Sequence, residues 1–526
     1  MIPAGSVVQG LNPRTGEPAG EPVPQTTPGQ LDAVLAAAAA AAAPLRASEP
    51  AARMRLLHEL ARRLDDRTAE LAGLAALESG LPLPRLTGEV ARTSAQLRLF
   101  GRVVEDGSYL EVITESADPE AIPPRPELAR WLEPAGPVLV FASSNFPFAF
   151  SVLGGDTASA LASGCPVVVK AHPSHPALSR LVGELAQQAV AQAGLPPGTF
   201  AVIFGDQPGV DALRDPRIRA AGFTGSTAGG RFLFDIAASR PAPIPFYGEL
   251  GSINPAVITP AAVAARGEQI AAGFAASFTM GTGQFCTKPG LLFLPAGHGL
   301  ADALRAAVGP LEAAPLLNAR IRDQLAAGLA GLAGHPDVEQ LAGGGAVPPA
   351  GSWAAPALFR TTASAVARDP GGLTAEYFGP NALAVEYDDV ADLLAALEAV
   401  EGSLTATVHA EPGDDFDLAP VLARLREIAG RVIYNGWPTG VAVSWAIHHG
   451  GPWPSSTSAG HTSVGATAIR RWLRPVAYQA MPDDLLPEGL RAANPWRLPR
   501  RVDGALLPGG PQVRHEGRTN NPETWR

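Results

Sequence analysis

The chain has 526 residues, 46% of them apolar and 17% charged, with a formal net charge of −10 and two cysteines. That length and apolar content predict two or more globular domains, each with its own core, and exclude a disordered chain. The acidic balance, without any block of Lys or Arg, argues against nucleic acid or an anionic membrane as the main partner, and two isolated cysteines cannot form a disulfide framework.

Met1 to Gly5 lack the basic region and apolar run of a secretory leader. The longest apolar stretch, Leu35 to Ala43, is mostly alanine, stops at Pro44, and falls far short of the about 20 residues that span a bilayer. The cytoplasm is the expected compartment. From Gln30 to about Leu99 the pattern is helical, with Leu56, Leu57, Leu60 and Leu64 at helix-face spacing. Tyr109 to Trp131, rich in proline, reads as an irregular strand pair or arm. An α/β section follows. Its short apolar runs at 137–142, 166–170, 201–205 and 220–224 read as buried parallel strands, with helices near 155–162 and from Leu178 to Gly194. This alternation predicts a doubly wound sheet that binds ligand beyond the carboxyl ends of its strands. A second α/β section, from about Ile253 to Tyr434, has candidate strands at 256–258, 290–293, 381–385 and 404–408. The stretch after Gly504 reads as a mobile or wrapping tail.

Cys286 stands out within Met280-Gly281-Thr282-Gly283-Gln284-Phe285-Cys286-Thr287-Lys288-Pro289-Gly290, where small residues let backbone approach a ligand. A thiolate is a strong nucleophile once its pKa is lowered. Cys165, beside an apolar run, reads as a small core residue. Gly222-Phe223-Thr224-Gly225-Ser226-Thr227 follows a strand and opens a helix. Its N–H groups and the Ser226 hydroxyl would suit a pyrophosphate, and a plain Ser N-cap explains it equally well. Phe246-Tyr247-Gly248-Glu249-Leu250-Gly251-Ser252-Ile253-Asn254-Pro255 puts one carboxylate in an apolar setting, where burial raises its pKa toward that of a general base. Ser143-Ser144-Asn145-Phe146-Pro147 presents an amide donor, and Glu376-Tyr377-Phe378-Gly379-Pro380 a second isolated carboxylate.

In order, Asn-Phe-Pro, the strand-end Lys170, Gly-Phe-Thr-Gly-Ser, Glu-Leu-Gly, Gly-Gln-x-Cys and Glu-x-Phe-Gly-Pro resemble the aldehyde dehydrogenase superfamily over about residues 1–504. A narrower likeness is to its NADP-using branch, which holds one class of α-ketoglutaric semialdehyde dehydrogenase and a bacterial long-chain fatty aldehyde dehydrogenase. It rests on Asn145 to Val152, Gly154 to Ala158, Lys170 to Pro176, Tyr434 to Gly440 and Leu473 to Val476.

The resemblance implies an α/β fold with a Rossmann-type cofactor domain at 1–251, including a bridging arm at about 109–135. A second α/β catalytic domain would span 252–436, a return and oligomerisation segment 437–504, and a tail 505–526. It implies that Cys286 attacks the aldehyde, that Asn145 and the Cys286 N–H hold the oxyanion, and that Glu249 activates water. Lys170 and Glu376 resemble a ribose-binding pair, with Gly225 and Ser226 near the pyrophosphate and Phe378 on the nicotinamide half. NAD-preferring relatives often carry an acid three positions after the lysine. Here that position is Pro173, followed by Ser174, so NADP is the expected preference, with NAD the alternative.

The substrate is expected to be α-ketoglutaric semialdehyde, or else a fatty or other aliphatic aldehyde. Lys288 could bind a distal carboxylate, but a lysine is more often solvent-exposed; Phe148, Phe150 and Phe285 could line an apolar tunnel or sit in the core. No metal is expected: Pro173 and Pro176 separate His172 from His175, and His448 and His449, adjacent in a strand, would point to opposite sides. Arg470, Arg471 and Arg474 are expected at the surface or an interface. A homodimer or homotetramer would be bridged by the arm and the segment after Arg474. Three other readings compete. A cysteine hydrolase would need a histidine base, and no histidine has a recognisable place near Cys286. A non-catalytic protein would not need Cys286, Glu249 and Asn145 together. An acylating enzyme using coenzyme A would not need Glu249.

Overall fold

The computed structural model describes residues 6–509. Helices Pro28–Ala47, Pro50–Asp66, Thr68–Ser79 and Leu83–Asp106 account for the expected helical stretch. The first is opened by a Thr27/Gln30 capping box and continues through Pro44 in its last turn, where the missing N–H leaves out one hydrogen bond to the preceding turn. Among the described residues no helix is long and apolar enough to cross a membrane.

A five-stranded, all-parallel sheet has the order Phe200–Ile203, Val167–Lys170, Val138–Phe141, Ala220–Thr224, Phe246–Glu249. Four of its strands were predicted. The fifth, Phe246–Glu249, and the helix Asp206–Arg214 were not, because both are short and carry polar residues at ligand-facing ends. The strands Val138–Phe141 and Val167–Lys170 are buried throughout, as a sheet covered on both faces requires. Chain order reverses on either side of Val138–Phe141, so the carboxyl ends there form a crevice. Asn145, Lys170, Gly225, Ser226 and Glu249 all follow or end strands of this sheet.

A seven-stranded sheet has the order Glu339–Gly343, Ala357–Thr362, Asn381–Tyr387, Leu291–Pro295, Pro255–Ile258, Ser403–His409, Ala429–Tyr434. It is parallel except at the Glu339–Gly343 edge. Cys286 precedes the strand Leu291–Pro295, and Glu376 and Phe378 precede its neighbour Asn381–Tyr387. The carboxyl edge of one sheet thus supplies Asn145 and Glu249, and the amino edge of the other supplies Cys286, Glu376 and Phe378.

The arm is the antiparallel pair Val112–Glu115 and Leu128–Pro134, extended by Leu473–Gln479 on one side and by Arg500–Val502 and Ala505–Leu507 on the other. The stretch just after Gly504 is therefore a paired edge strand rather than a loose tail; residues 510–526 of the expected tail lie outside the described residues. Cys165 is fully buried, as expected. Arg471 is not at the surface: it is buried, 2.7 Å from Asp156 and stacked over Trp472, whereas Arg470 and Arg474 are exposed.

Candidate active site

The nucleophile loop leaves the helix Pro260–Thr279 through Gly281, Thr282 and Gly283, with φ of 57°, 59° and 63°. Two glycines meet this left-handed requirement without strain. Gly283 also has no room for a side chain, since a Cβ there would lie 2.1 Å from the Gly379 carbonyl. The loop bearing Cys286 therefore presses directly on the loop bearing Glu376 and Phe378. Asn254 fixes the other side. Its Nδ2 donates to the carbonyls of Cys286 (2.8 Å) and Lys288 (2.9 Å), and its Oδ1 accepts from Thr405 N (3.1 Å) and Thr405 Oγ1 (3.0 Å). It stood within the quoted Glu249 motif, but nothing in its sequence position marked it as a brace.

Cys286 is half-buried, with Asn145 and Glu249 buried around it. The Asn145 amide donates to the Gln284 carbonyl at 3.1 Å, which leaves its second N–H free of that bond. The Cys286 N–H has no carbonyl partner among the described residues. These are two donors beside one thiol, the arrangement an oxyanion needs.

The residue that sequence reasoning missed is His449. It lies in no strand, and its ring turns into the site: Nε2 is 3.4 Å from Cys286 Sγ along a hydrogen-bonding direction. Nε2 is also 3.0 Å from Glu249 Oε1, which lies off its hydrogen-bonding axis. The His449 N–H donates to Thr462 Oγ1 at 2.8 Å and its carbonyl accepts from Ser463 N, so the return segment holds the ring in place. The expectation that no histidine lies near Cys286 is overturned. The available signal was its glycine-flanked setting, His449-Gly450-Gly451, which resembles that of Cys286. Gly451 would clash with the Ser403 carbonyl if it bore a Cβ, at 2.2 Å.

Burial alone would raise the Glu249 carboxyl, as expected. The contacts with His449, the Ser463 hydroxyl and the Cys286 thiol outweigh burial and hold Glu249 below the usual carboxylate range. Burial, then the charge of Glu249 and its hydrogen bond, then Glu376, push the Cys286 thiol well above its ordinary value. The site at rest thus pairs a neutral thiol with an ionised carboxylate. Glu249, Cys286 and His449 bring a carboxylate, a thiol and an imidazole within 4.8 Å of one another, a donor set suited to zinc.

Lys288 is not exposed. It is 1% accessible, and its Nζ donates to the carbonyls of Tyr377 (2.9 Å), Gly379 (3.1 Å) and Asn381 (3.0 Å). It pins the Glu376 loop, so its ammonium is not available to a substrate. Burial lowers its pKa and raises that of Glu376, each countered by the other's charge. Glu376 accepts from Ser252 N at 3.1 Å, and Phe378 is half-buried on the same loop.

Lys170 Nζ lies 2.5 Å from Asp206, at the start of a helix that the sequence did not reveal. A carboxylate therefore does stand beside the lysine, contrary to the expectation drawn from Pro173. No contact joins Lys170 to Glu376 among the described residues. Ser174 is half-buried and accepts from Asn318 Nδ2 at 3.3 Å. Ser226 caps the helix Thr227–Ala238 by accepting from Gly229 N, while Gly225 and Ser226 stay exposed.

Phe148 belongs to the main core, so it is not a pocket residue. Phe285 packs edge-on against Phe146 at 5.1 Å, Phe146 against Phe150 at 5.3 Å, and Phe150 lies 6.4 Å from the His449 ring. Phe146, not singled out from the sequence, completes this aromatic wall. His172 and His175 ring centroids are 5.7 Å apart, but His175 is taken up by the Ser143 carbonyl and the Ser179 hydroxyl.

A doubly wound sheet facing a cysteine loop, with an amide, a carboxylate and an imidazole around the thiol, defines a thiol enzyme built on a dinucleotide-type scaffold. The aldehyde dehydrogenase family model matches residues 3–475. The chain belongs to the aldehyde dehydrogenase family and is an aldehyde oxidoreductase. It is 46% identical over 465 residues to α-ketoglutaric semialdehyde dehydrogenase 2 of Azospirillum brasilense, covering 87% of this chain and 88% of that one. It is 41% identical to the α-ketoglutaric semialdehyde dehydrogenase of Acinetobacter baylyi, covering 95% of each. Among solved structures, an E. coli NADP-dependent enzyme superposes with a TM-score of 0.77 at 24% identity, over 90% of this chain and 94% of that one. A Pseudomonas syringae aldehyde dehydrogenase bound to NAD+ and octanal gives 0.76 at 23% identity, over 90% and 93%.

Proposed function

We propose that this protein oxidises α-ketoglutaric semialdehyde to 2-oxoglutarate with a nicotinamide dinucleotide. The observation that carries the chemistry is the convergence of Asn145, Glu249 and His449 on Cys286. The extent of similarity to the two named relatives carries the substrate. As Sγ bonds to the aldehyde carbon, the thiol proton passes to His449 Nε2 or through it to Glu249, and the Asn145 amide and Cys286 N–H receive the oxyanion. A bound dinucleotide supplies the hydride acceptor. After hydride leaves, the acyl group remains on Sγ as a thioester, and Glu249 draws a proton from the water that displaces the thiolate. Retention of Glu249 favours water over coenzyme A as the acyl acceptor.

The residues present fit a dinucleotide: Gly225 and Ser226, exposed at a helix start, would hold the pyrophosphate, Lys170, Ser174 and Glu376 the ribose groups, and Phe378 would help position the nicotinamide half. We assign both NADP and NAD as acceptable, with NADP preferred through Lys170 and Ser174; Asp206 works against that preference by drawing off part of the lysine's charge. Residues 1–251 would form the cofactor domain, 252–436 the catalytic domain and 437–504 the returning segment. The edge strand Leu473–Gln479 supports a homodimer or homotetramer, and the acidic chain with two free cysteines supports a cytoplasmic location.

The test is a kcat/KM panel with α-ketoglutaric semialdehyde, pentanal and long-chain aldehydes, each with NAD and NADP. The charged semialdehyde is expected to lead; a long-chain aldehyde leading overturns the substrate. Cys286→Ser is expected to abolish oxidation, and near-wild-type turnover overturns the mechanism.

A further inference from the structure

We propose that Arg85 and Arg92, on one face of the helix Leu83–Asp106, form the subsite that holds the 2-oxo-carboxylate end of the substrate; this rests on the substrate reading above. Seven residues apart, they lie two turns along the same helix face, with Glu89 between them. Both guanidinium groups stack on the aromatic wall beside the nucleophile. Arg85 lies 5.2 Å from the Phe146 ring and 4.9 Å from the Phe285 ring, and Arg92 lies 5.4 Å from the Phe150 ring. Stacking of this kind fixes the plane of the fork and leaves its edge for an anion. Arg85 Nη2 donates to the carbonyl of Asn145, so the guanidinium is anchored to the residue that holds the oxyanion.

In each arginine Nη1 is buried and has no hydrogen-bond partner among the described residues. Buried donors of that kind are rare without a partner to receive them. Glu89 does not neutralise the pair by contact. Its Oε1 accepts from the Phe148 and Ala149 N–H groups, its Oε2 is buried without a hydrogen-bond partner, no ion pair joins it to either arginine among the described residues, and burial raises its carboxyl above the ordinary value against the charges of both arginines. Arg92 stands on the reaction side of the helix, because the Phe150 ring it stacks on lies 6.4 Å from the His449 ring.

The other cations near the thiol are committed elsewhere. Lys288 is spent on three carbonyls, and Arg431 Nη2 donates to the carbonyls of Pro438 and Gly440, with its Nε left unpartnered among the described residues. A 2-oxo acid presents two carboxylate oxygens and a ketone oxygen in one plane, which two planar forks can share. An aldehyde held this way would keep its charged end at the arginines and its carbonyl carbon at Sγ.

The experiment compares kcat/KM for α-ketoglutaric semialdehyde and for pentanal, of equal carbon count, in the wild type, Arg85→Gln, Arg92→Gln and Arg92→Lys. Each glutamine variant is expected to lower the ratio of charged to uncharged substrate about 10- to 100-fold, and Arg92→Lys less, because it keeps the charge and loses the fork. A ratio that stays within about threefold of wild type in both glutamine variants overturns the assignment. A wild type with no preference for the charged aldehyde overturns the substrate reading instead. If a glutamine variant does not fold, Arg85→Lys and Arg92→Lys carry the test through protection of Cys286 from iodoacetamide by 2-oxopentanoate. Protection equal to that of the wild type refutes the subsite, and weakened protection supports it.

Discussion

Replacing Lys288 by Met removes the ammonium and keeps an unbranched side chain one atom shorter. Three hydrogen bonds from a charged donor would be lost, each worth about 1.5–3 kcal/mol, or about 5–9 kcal/mol in gross terms. Against that stands the cost of burying an ammonium, several kcal/mol, which methionine does not incur. Two of the three carbonyls also keep a partner, because Asn381 Nδ2 donates to Tyr377 O at 2.7 Å and Gly379 O at 3.3 Å. The net loss is then about 2–3 kcal/mol, or about 30- to 150-fold in the opening equilibrium of the loop. Amide exchange across 376–381, followed by mass spectrometry, should accelerate by that factor. The KM for the dinucleotide should rise with it, because Glu376 and Phe378 ride on the loop. Cys286 alkylation should change little. Exchange at 376–381 within about threefold of wild type would refute the pin and return Lys288 to a bystander role.

Glu249→Gln should still reduce one equivalent of dinucleotide per site in a rapid burst, then slow by about 10²- to 10⁴-fold as the thioester accumulates; steady turnover near wild type would rule out its role as base. The same change should speed Cys286 alkylation at pH 8: Glu249 holds the thiol pKa up, so removing its charge raises the thiolate fraction, and a slower reaction would show the opposite sign. His449→Gln should depress kcat/KM for the aldehyde by about 10²-fold with little change in dinucleotide binding, as measured by fluorescence quenching; unchanged kcat/KM would make the ring a packing group. Asp206→Ala should raise the NADP/NAD ratio of kcat/KM severalfold by freeing Lys170, and a falling ratio would show that the carboxylate supports NADP. Zinc should inhibit reversibly, with chelator rescue, and less strongly in Glu249→Gln; indifference to zinc would show that the three donors do not converge in solution.

What could be read from the sequence follows from what local pattern encodes. Buried strands such as Val138–Phe141 and Val167–Lys170 are apolar throughout and bounded by small residues, so their place and length were evident. Phe246–Glu249 was legible only as a motif, because it is four residues long, holds a glycine and ends in a charged residue. Cys286, Asn145 and Glu249, which the structure brings together, were singled out because each sits in a short motif of an ordered set that resembles the family, not because its local setting alone sufficed. His449 and Lys288 were misjudged for the same reason in reverse. The partners that define them lie 163 and about 90 positions away, and no local rule reports contacts of that range. The default that a lysine is exposed failed because three loop carbonyls needed a donor.

The charges around Cys286 impose an order on the reaction. A neutral thiol beside an ionised Glu249 cannot react as a standing thiolate, since the carboxylate that would take the proton also disfavours the charge left behind. In the proposed mechanism proton loss accompanies bond formation, as the negative charge moves from sulfur to the oxyanion at Asn145. His449 contacts both groups, so it can take the proton from Sγ and leave Glu249 ionised for water afterwards. One carboxylate then needs to serve as base in only one half of the cycle. The positive charge of Arg92, within reach of Cys286 and Glu249, lowers the cost of the charge in transit. An anionic substrate seated on the arginines would cancel part of that help. The pH profile of acylation by the charged aldehyde should thus lie at higher pH than that of acylation by pentanal, and single-turnover rates across pH 6–9 whose profiles coincide would refute that coupling.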